Sequence, residues 1–401
     1  MGYCCVKCFE DEDIRAIVRK HGAALDDGEC CDYCGADGDV VVDTMILREI
    51  FHRVVAQDYM PLDARADARH LDFTDGQPLV QLLEEDYGPI FAEKAVEETR
   101  QKLLFDILDD GDRSDGDGGV YADIYSVWCR VEDDPPSRTR RDYWVELECE
   151  AKNRGHNLLG PSGRFAGREE AKEAYQVLRQ DLEMVPRTLP KGLSLWRARR
   201  GSGHTGKDLA APPPDKAKAG RGNLQGQPVL YLADDSRTAI HEVRPSVGEI
   251  VSVGKFQLKK ARRMCDLTPH FETCNPFVES AKEFEAFQKR LARNELRGLL
   301  GHALAAPVCP DDEAMDYLST QFLCRMIADL KFDGVIYASS QYRPKRLPSG
   351  PRREDYALNY LLFDPESAQQ EGPAETFQIE AASYEFSPHK VQHRSPTHSG
   401  K

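Results

Sequence analysis

The sequence predicts an α+β protein of two domains, a helical metal-binding amino-terminal domain followed by a mixed α/β domain. Three observations predict it. At 401 residues the chain exceeds a single typical domain of roughly 100–200 residues. Six of its 12 cysteines crowd the start as Cys4, Cys5, Cys8, Cys30, Cys31 and Cys34. The apolar pattern also changes, from helical spacing early in the chain to short alternating runs from Leu193 onward.

Cys5-Val6-Lys7-Cys8 and Cys31-Asp32-Tyr33-Cys34 each offer two thiolates to one tetrahedral ion, and the gap between them suits a zinc ribbon. The expected zinc ligands are Cys5, Cys8, Cys31 and Cys34. Cys4 and Cys30 each adjoin a ligand and leave the choice of set open. Four thiolates fill the coordination shell, which makes the site structural. The alternative is dithiol redox chemistry, but neither pair has the strand-to-helix context for it.

Ile14, Ile17 and Val18 predict a helix over 11–21. Two further helices follow, over 43–57 with Ile50, Phe51 and Val54 on its stripe, and over 89–108 with Phe91, Leu103, Leu104 and Leu108. The acidic run 109–119 fails the EF-hand template, since counting from Asp110 places Asp115 where glycine belongs and Tyr121 where glutamate belongs. It reads as a solvated loop. Segments 120–127 and 143–147 suit strands or buried helix ends, and 154–167 reads as a linker. The expected division is a domain over 1–155, a linker helix over 156–190, a second domain over 191–365 and a partly disordered tail over 366–401.

The second domain opens with a helix over 168–183, closed by Pro186 and Pro190. A strand over 193–199 then places Trp196 and Ala198 on one face and Leu195, Arg197 and Arg199 on the other. Segment 201–222, rich in glycine, proline and lysine, reads as a surface excursion. It ends in Gly220-Arg221-Gly222-Asn223, just before a strand over 229–233. A helix over 238–243, capped by Ser236 or Thr238, carries Glu242. His241 reads as a packing residue. The charged helix around 279–300 reads as a lid or partner surface. A helix over 316–330 leads into a strand over 332–337, with Ser339 and Ser340 just past its end.

A net charge of -15 and a pI near 5.3 weigh against nucleic acid or an anionic membrane as partner. No run approaches the roughly 18 apolar residues of a membrane span, and the first residues lack a signal-peptide pattern, so a cytoplasmic location is expected. The chemistry-bearing residues suit an anionic ligand instead. Guanidinium groups pair with phosphate, Gly220 and Gly222 admit a close backbone approach, Tyr231 offers a stacking face, and Glu242 can meet a developing cation. A dinucleotide has all these parts. Neither a Ser-His-Asp order nor G-x-S-x-G is legible, so the serines are read as hydrogen-bonding groups.

The order of Leu195-Trp196-Arg197-Ala198-Arg199, Gly220-Arg221-Gly222-Asn223, Tyr231, Thr238-Ala239-Ile240-His241-Glu242-Val243-Arg244, Asp333-Gly334-Val335-Ile336-Tyr337-Ala338-Ser339-Ser340 and Asn359-Tyr360-Leu361-Leu362-Phe363 resembles the RES family, named for an arginine, a glutamate and a serine. The resemblance spans Leu193 to Phe363. It implies an ADP-ribosyltransferase-like fold that consumes NAD, splitting the nicotinamide glycosidic bond by phosphorolysis or hydrolysis. It further implies a toxin or defence role and, as in many members, an antitoxin partner. On this resemblance Arg197, Glu242 and Ser339 are catalytic. Arg199, Arg221, Asn223, Tyr231 and Ser340 bind substrate, with Ser340 the alternative to Ser339 and Arg199 the candidate for a phosphate co-substrate. The first domain resembles, more loosely, the HEPN-type helical domain that accompanies some RES proteins. Arg65 and His70 have the spacing of a HEPN ribonuclease pair, but an acidic chain gives RNA little footing, and both read as solvated. Two competing readings stand beside NAD cleavage. Protein ADP-ribosylation lacks a legible docking surface, and a non-enzymatic, zinc-stabilised interaction protein fits poorly with the presence of Glu242 and the arginines.

Overall fold

The computed structural model describes residues 2–24, 30–37, 40–65, 76–92, 97–109, 126–131, 139–159, 165–204, 206–269, 275–306, 313–342 and 356–381. The readings of the acidic loop over 110–119, of residues 120–125 and of His70 lie outside these residues. The protein is α+β and divides into two compact units: Met1–Val185 with Pro269–His302, and Pro186–Thr268 with Ala303–Lys401.

The first unit runs β1 (Tyr3–Cys5), α1 (Glu12–His21), β2 (Ala23–Ala24), β3 (Val40–Asp43), α2 (Met45–Asp58), β4 (Tyr59–Pro61), β5 (Gln77–Pro78), α3 (Leu79–Tyr87), α4 (Glu97–Leu108), β6 (Val127–Arg130), α5 (Arg140–Arg154) and α6 (Lys172–Glu183). Two three-stranded sheets, β1-β3-β2 and β4-β6-β5, accompany the helices. Asp11 starts α1 by accepting from the Ile14 amide at 2.9 Å, the usual service of an acidic N-cap. Thr139 and Asp142 form a capping box at the start of α5. That box turns 143–147 into the middle of a helix, where a strand or helix end was expected. The helix expected over 89–108 does not include 89–92, since Gly88, at φ +85°, ends α3 and Pro89 follows it, and its described part is α4.

Phe9, Phe51 and Phe91 centre the core of this unit, and Phe277 and Phe287 join them, with the Phe51 and Phe277 rings 4.8 Å apart. The segment expected as a lid is therefore a core element. Its helix, Ala281–Ala305, buries Phe284 and Phe287 in the first unit, and Arg53 donates to the carbonyls of Val278 and Glu279 just before it. A charged helix with a few large apolar residues is anchored by those residues, whatever its net polarity.

The second unit contains β7 (Pro186–Leu189), β8 (Ser194–Arg200), β9 (Leu230–Ala233), α7 (Ser236–Glu242), β10 (Ile250–Leu258) and β11 (Arg262–Asp266). After α8 (Ala281–Ala305), most of which belongs to the first unit, come α9 (Glu313–Asp329), β12 (Gly334–Ala338), β13 (Leu358–Leu362) and β14 (Ala368–Gln378). The strands form one mixed sheet in the order β14-β10-β8-β9-β13-β12-β11-β7. β11 and β12 run parallel and the other neighbours antiparallel. Part of the segment expected as a partly disordered tail over 366–401 is β14, which pairs with β10 from Ile250↔Gln378 to Leu258↔Ala368, and 382–401 lie outside the described residues.

The two faces of this sheet differ. One carries Leu195, Leu230, Leu232, Phe256 and Leu362. The other carries Ala198, Ala233, Val251 and Val253, and there Ala239 of α7 packs close because the partners are small. The seam between β8 and β9 is the thin point, held by the single pair Trp196↔Ala233, whereas β8 and β10 pair from Arg200↔Val251 to Ser194↔Gln257.

Candidate functional site

Four cysteines of the first unit converge. Cys5 Sγ lies 3.9 Å from Cys8 Sγ and 3.4 Å from Cys34 Sγ, Cys8 Sγ lies 3.4 Å from Cys31 Sγ, and all four sulfurs fall within 4.8 Å of one another. Zinc–sulfur bonds of about 2.3 Å at tetrahedral angles separate sulfurs by about 3.8 Å, so the set could hold a metal ion. The geometry also resolves the open choice of ligands. Cys4 turns away to donate to the Val42 carbonyl at 3.7 Å, and Cys30 lies exposed outside the cluster. The second knuckle closes with Gly35 at φ +66°, a conformation that glycine adopts at no steric cost.

The chemistry of the second unit gathers at the seam between β8 and β9. Where the strands part, a cleft of about 400 Å³ opens, with Arg197, Arg221, Tyr231, Glu242, Arg244 and Asn359 among its walls. Glu242 reaches it from the last residue of α7. The helix is capped by Asp235, which accepts from the Thr238 amide at 2.7 Å, one residue earlier than the expected cap at Ser236.

Glu242 is held from one side. Ser339 Oγ donates to its Oε1 at 2.5 Å and Asn359 Nδ2 donates to the same oxygen at 2.8 Å, so Oε2 is left uncommitted among the described residues. The direction of the Ser339 proton follows from its other bonds. Its oxygen already accepts from the amides of Gln341 and Tyr342 at 3.1 and 3.2 Å. Ser339 is buried and is not part of the cleft wall. Its hydroxyl is engaged by the Glu242 carboxylate. Ser340, the alternative, accepts from Gln341 and does not reach Glu242.

Arg197 is half-buried, with Nη1 donating to the Tyr231 carbonyl at 3.1 Å. Burial, helped by the nearby charge of Arg199, lowers its pKa from 12.5 to about 10. Among the described residues no carboxylate neutralises it, and its surroundings solvate it poorly. Arg199 Nη1 donates to the Asp208 carbonyl at 2.5 Å. Arg221 Nη1 is held by the carbonyls of Leu304 and Ala306.

The turn at 220–223 is fixed from within. Asn223 spends its amide on the carbonyls of Lys218, Leu224 and Gln227, and its Oδ1 accepts from the Tyr231 hydroxyl at 3.0 Å, which itself accepts from the Gly222 amide at 3.0 Å. Asn223 thus ties the turn together while lining the cleft. Gly222 is likewise required by packing, since a Cβ there would sit 2.0 Å from Leu361 Cδ2.

Several residues escaped the sequence reading. Gln321 of α9 clamps the turn by donating to the carbonyls of Gly220 and Asn223. Asn359 carried a legible signal, being an amide in the wholly buried strand Leu358–Leu362, where a polar group must find a partner. Arg244 is the second. It follows the C-cap Val243 and takes φ +46°, the left-handed position that ends many helices and ordinarily belongs to glycine. Pro245 follows and forbids continuation of the helix. The guanidinium of Arg244 has no hydrogen-bond or ion-pair partner among the described residues. His241, by contrast, stacks on Tyr342 with ring centres 4.7 Å apart.

Site and fold together define a mixed α/β domain with a carboxylate and several cations facing a cleft. Residues 194–381 match the family model of the RES domain, and the chain carries a RES domain over that span. Among solved structures, a chain of the M. tuberculosis MbcT–MbcA toxin–antitoxin complex is similar at 13% identity, covering 50% of this chain and 92% of its own length, with a TM-score of 0.29. No curated protein matches the sequence. Among the described residues, no helix is long and apolar enough to cross a membrane.

Proposed function

We propose that the second unit cleaves the bond between nicotinamide and ribose in NAD. The observation that carries this reading is the posture of Glu242, with both donors on Oε1 and Oε2 left for the ligand. When the C1′–N bond breaks, both electrons leave with the nicotinamide nitrogen and positive charge develops on the ribose. A carboxylate fixed in advance stabilises that charge without reorganising. Arg197 holds the pyrophosphate, and Arg221 and Tyr231 complete the wall that keeps the sugar from recoiling.

The acceptor oxygen then donates a lone pair to C1′, and we favour phosphate over water. Arg244 supports this choice. It is an unpartnered cation in the same cleft as Glu242, and its backbone strain, of order 1–3 kcal/mol, is kept where glycine would relieve it. Arg199, the earlier candidate for phosphate, lines a neighbouring cavity instead. The four-cysteine set is proposed to hold structural zinc. NAD depletion, restrained by an antitoxin-like partner, is the proposed biological effect.

The test is incubation of the full chain with NAD, with and without inorganic phosphate, resolving products by mass. Nicotinamide with ADP-ribose 1-phosphate, dependent on phosphate and lost in Glu242→Gln, is the expected result. Free ADP-ribose in both tubes makes the enzyme a glycohydrolase, ADP-ribose attached to protein makes it a transferase, and intact NAD overturns the reading.

A further inference from the structure

A second cavity, of about 590 Å³, adjoins the first and shares Arg197, Lys218, Asn223 and Tyr231 with it. Its charge is one-sided. Arg197, Arg199, Arg200, Lys216 and Lys218 line it, and among the described residues no carboxylate does. Arg200 is spoken for by Glu249, at 2.7 Å, and Arg199 in part by the Asp208 carbonyl, whereas Lys216 and Lys218 have no ion-pair partner among the described residues. Between the cations the wall is apolar, with Pro212, Ala217 and Pro228. Inorganic anions need only the cations. Cations beside an apolar wall suit a phosphorylated nucleoside, whose base is flat and weakly solvated.

Size points the same way. The Glu242 cleft, at about 400 Å³, lies low in the range of roughly 300–1,000 Å³ for small-molecule sites, and a dinucleotide carries two nucleosides. We propose that the second cavity is a binding site for a nucleoside diphosphate, and that Lys216 and Lys218 are its phosphate-binding side chains. Resting on the NAD reading, this makes Arg197 the point where the two halves of the substrate join. It follows that the enzyme selects dinucleotides over nicotinamide mononucleotide by contacts remote from the broken bond, a use of binding energy that shows in turnover as well as affinity.

The inference is tested by calorimetric titration of ADP, inorganic pyrophosphate and adenosine into the full chain carrying Glu242→Gln, with and without Lys216→Ala and Lys218→Ala together. Both lysines are exposed, so the double variant keeps its fold. ADP is expected to bind more tightly than pyrophosphate or adenosine, and to weaken at least about tenfold in the double variant, the size of one or two charge-assisted hydrogen bonds. Lys259→Ala, which removes a charge paired with Glu366 elsewhere on the unit, is expected to leave ADP binding unchanged. In the active enzyme, the double variant is expected to lower the ratio of kcat/KM for NAD to that for nicotinamide mononucleotide. Equal binding of pyrophosphate and ADP, or ADP binding indifferent to the two lysines, overturns the site. ADP binding that depends on the lysines, in a protein that cleaves no NAD, upholds this site and rejects the NAD reading.

Discussion

The metal centre and the cleft treat their polar groups in opposite ways. Four thiols of the first unit face one another within 4.8 Å, a set that could hold one metal ion. In the cleft, one oxygen of Glu242 and the guanidinium of Arg244 have no partner among the described residues, and Arg197 has a carbonyl where a counter-charge could sit. A set that closes on itself contributes to folding. A set left open, with its neighbours pinned by Asn223, Gln321, Ser339 and Asn359, suits the binding proposed above.

The largest expected effect breaks the closed set. Structural zinc sites contribute on the order of 10 kcal/mol to folding, so Cys8→Ser should abolish stoichiometric zinc and the cooperative unfolding of the first unit. Metal analysis beside calorimetry reads both. Zinc retained at one ion per chain would remove Cys8 from the ligand set.

In the open set, Glu242→Gln should lower kcat for NAD cleavage by about a hundredfold to a thousandfold, the scale of a lost electrostatic stabiliser, with little change in Tm. Asn359→Leu and Ser339→Ala sharpen the distinction between touching substrate and positioning the group that does. Each should lower kcat by about tenfold to a hundredfold through misplacement of Glu242, leaving KM nearly constant. A rise confined to KM would instead put these side chains on the substrate.

The pH dependence of Arg197 tests how its charge is held. Below pH 10 the side chain is charged in both folded and unfolded chains, and the cost of burying it is fully present. Between about 10 and 12.5 the folded chain loses the proton while the unfolded chain keeps it, so this group's contribution to stability rises with pH. An anionic ligand favours the charged form, and its affinity moves the other way. KM for NAD should be flat near neutrality and climb as pH approaches 10; a KM that stays flat through pH 10 would separate Arg197 from the pyrophosphate.

Arg244 carries the smallest stability effect. Arg244→Gly should raise stability by about 1 kcal/mol by relieving the left-handed backbone, whereas Arg244→Ala removes the same charge and keeps the strain. Both should weaken dependence on phosphate equally. Thermal unfolding and phosphate titration of the pair separate the backbone from the side chain.

Much of this contrast was legible in the sequence, and the missing parts share a cause. The cysteine spacing and the α1 stripe were readable because local pattern determines them, whereas Arg197, Glu242 and Ser339 were picked out by resemblance to the RES family. The segment over 279–300, expected as a lid or partner surface, and the strand β14 within the tail expected as partly disordered were not legible as packed elements, because their partners, Phe51 and β10, lie far away in sequence. Helix α3 was overlooked because four apolar residues among nine make too short a stripe. The bond from Ser339 to Glu242 was not legible, because a hydroxyl's neighbours cannot be read from its strand and the direction of its proton depends on the amides of Gln341 and Tyr342.

The seam between β8 and β9 has a mechanical side. With one pair, Trp196↔Ala233, joining them, the strands β14, β10 and β8 form one leaf of the sheet and the remaining five strands another. A ligand seated on Arg197 of one leaf and Glu242, Tyr231 and Asn359 beyond it fastens the leaves together as a rivet does. Amide protons along the seam should therefore exchange faster than those of the β8–β10 ladder in the free protein, and slow selectively when the ligand is bound.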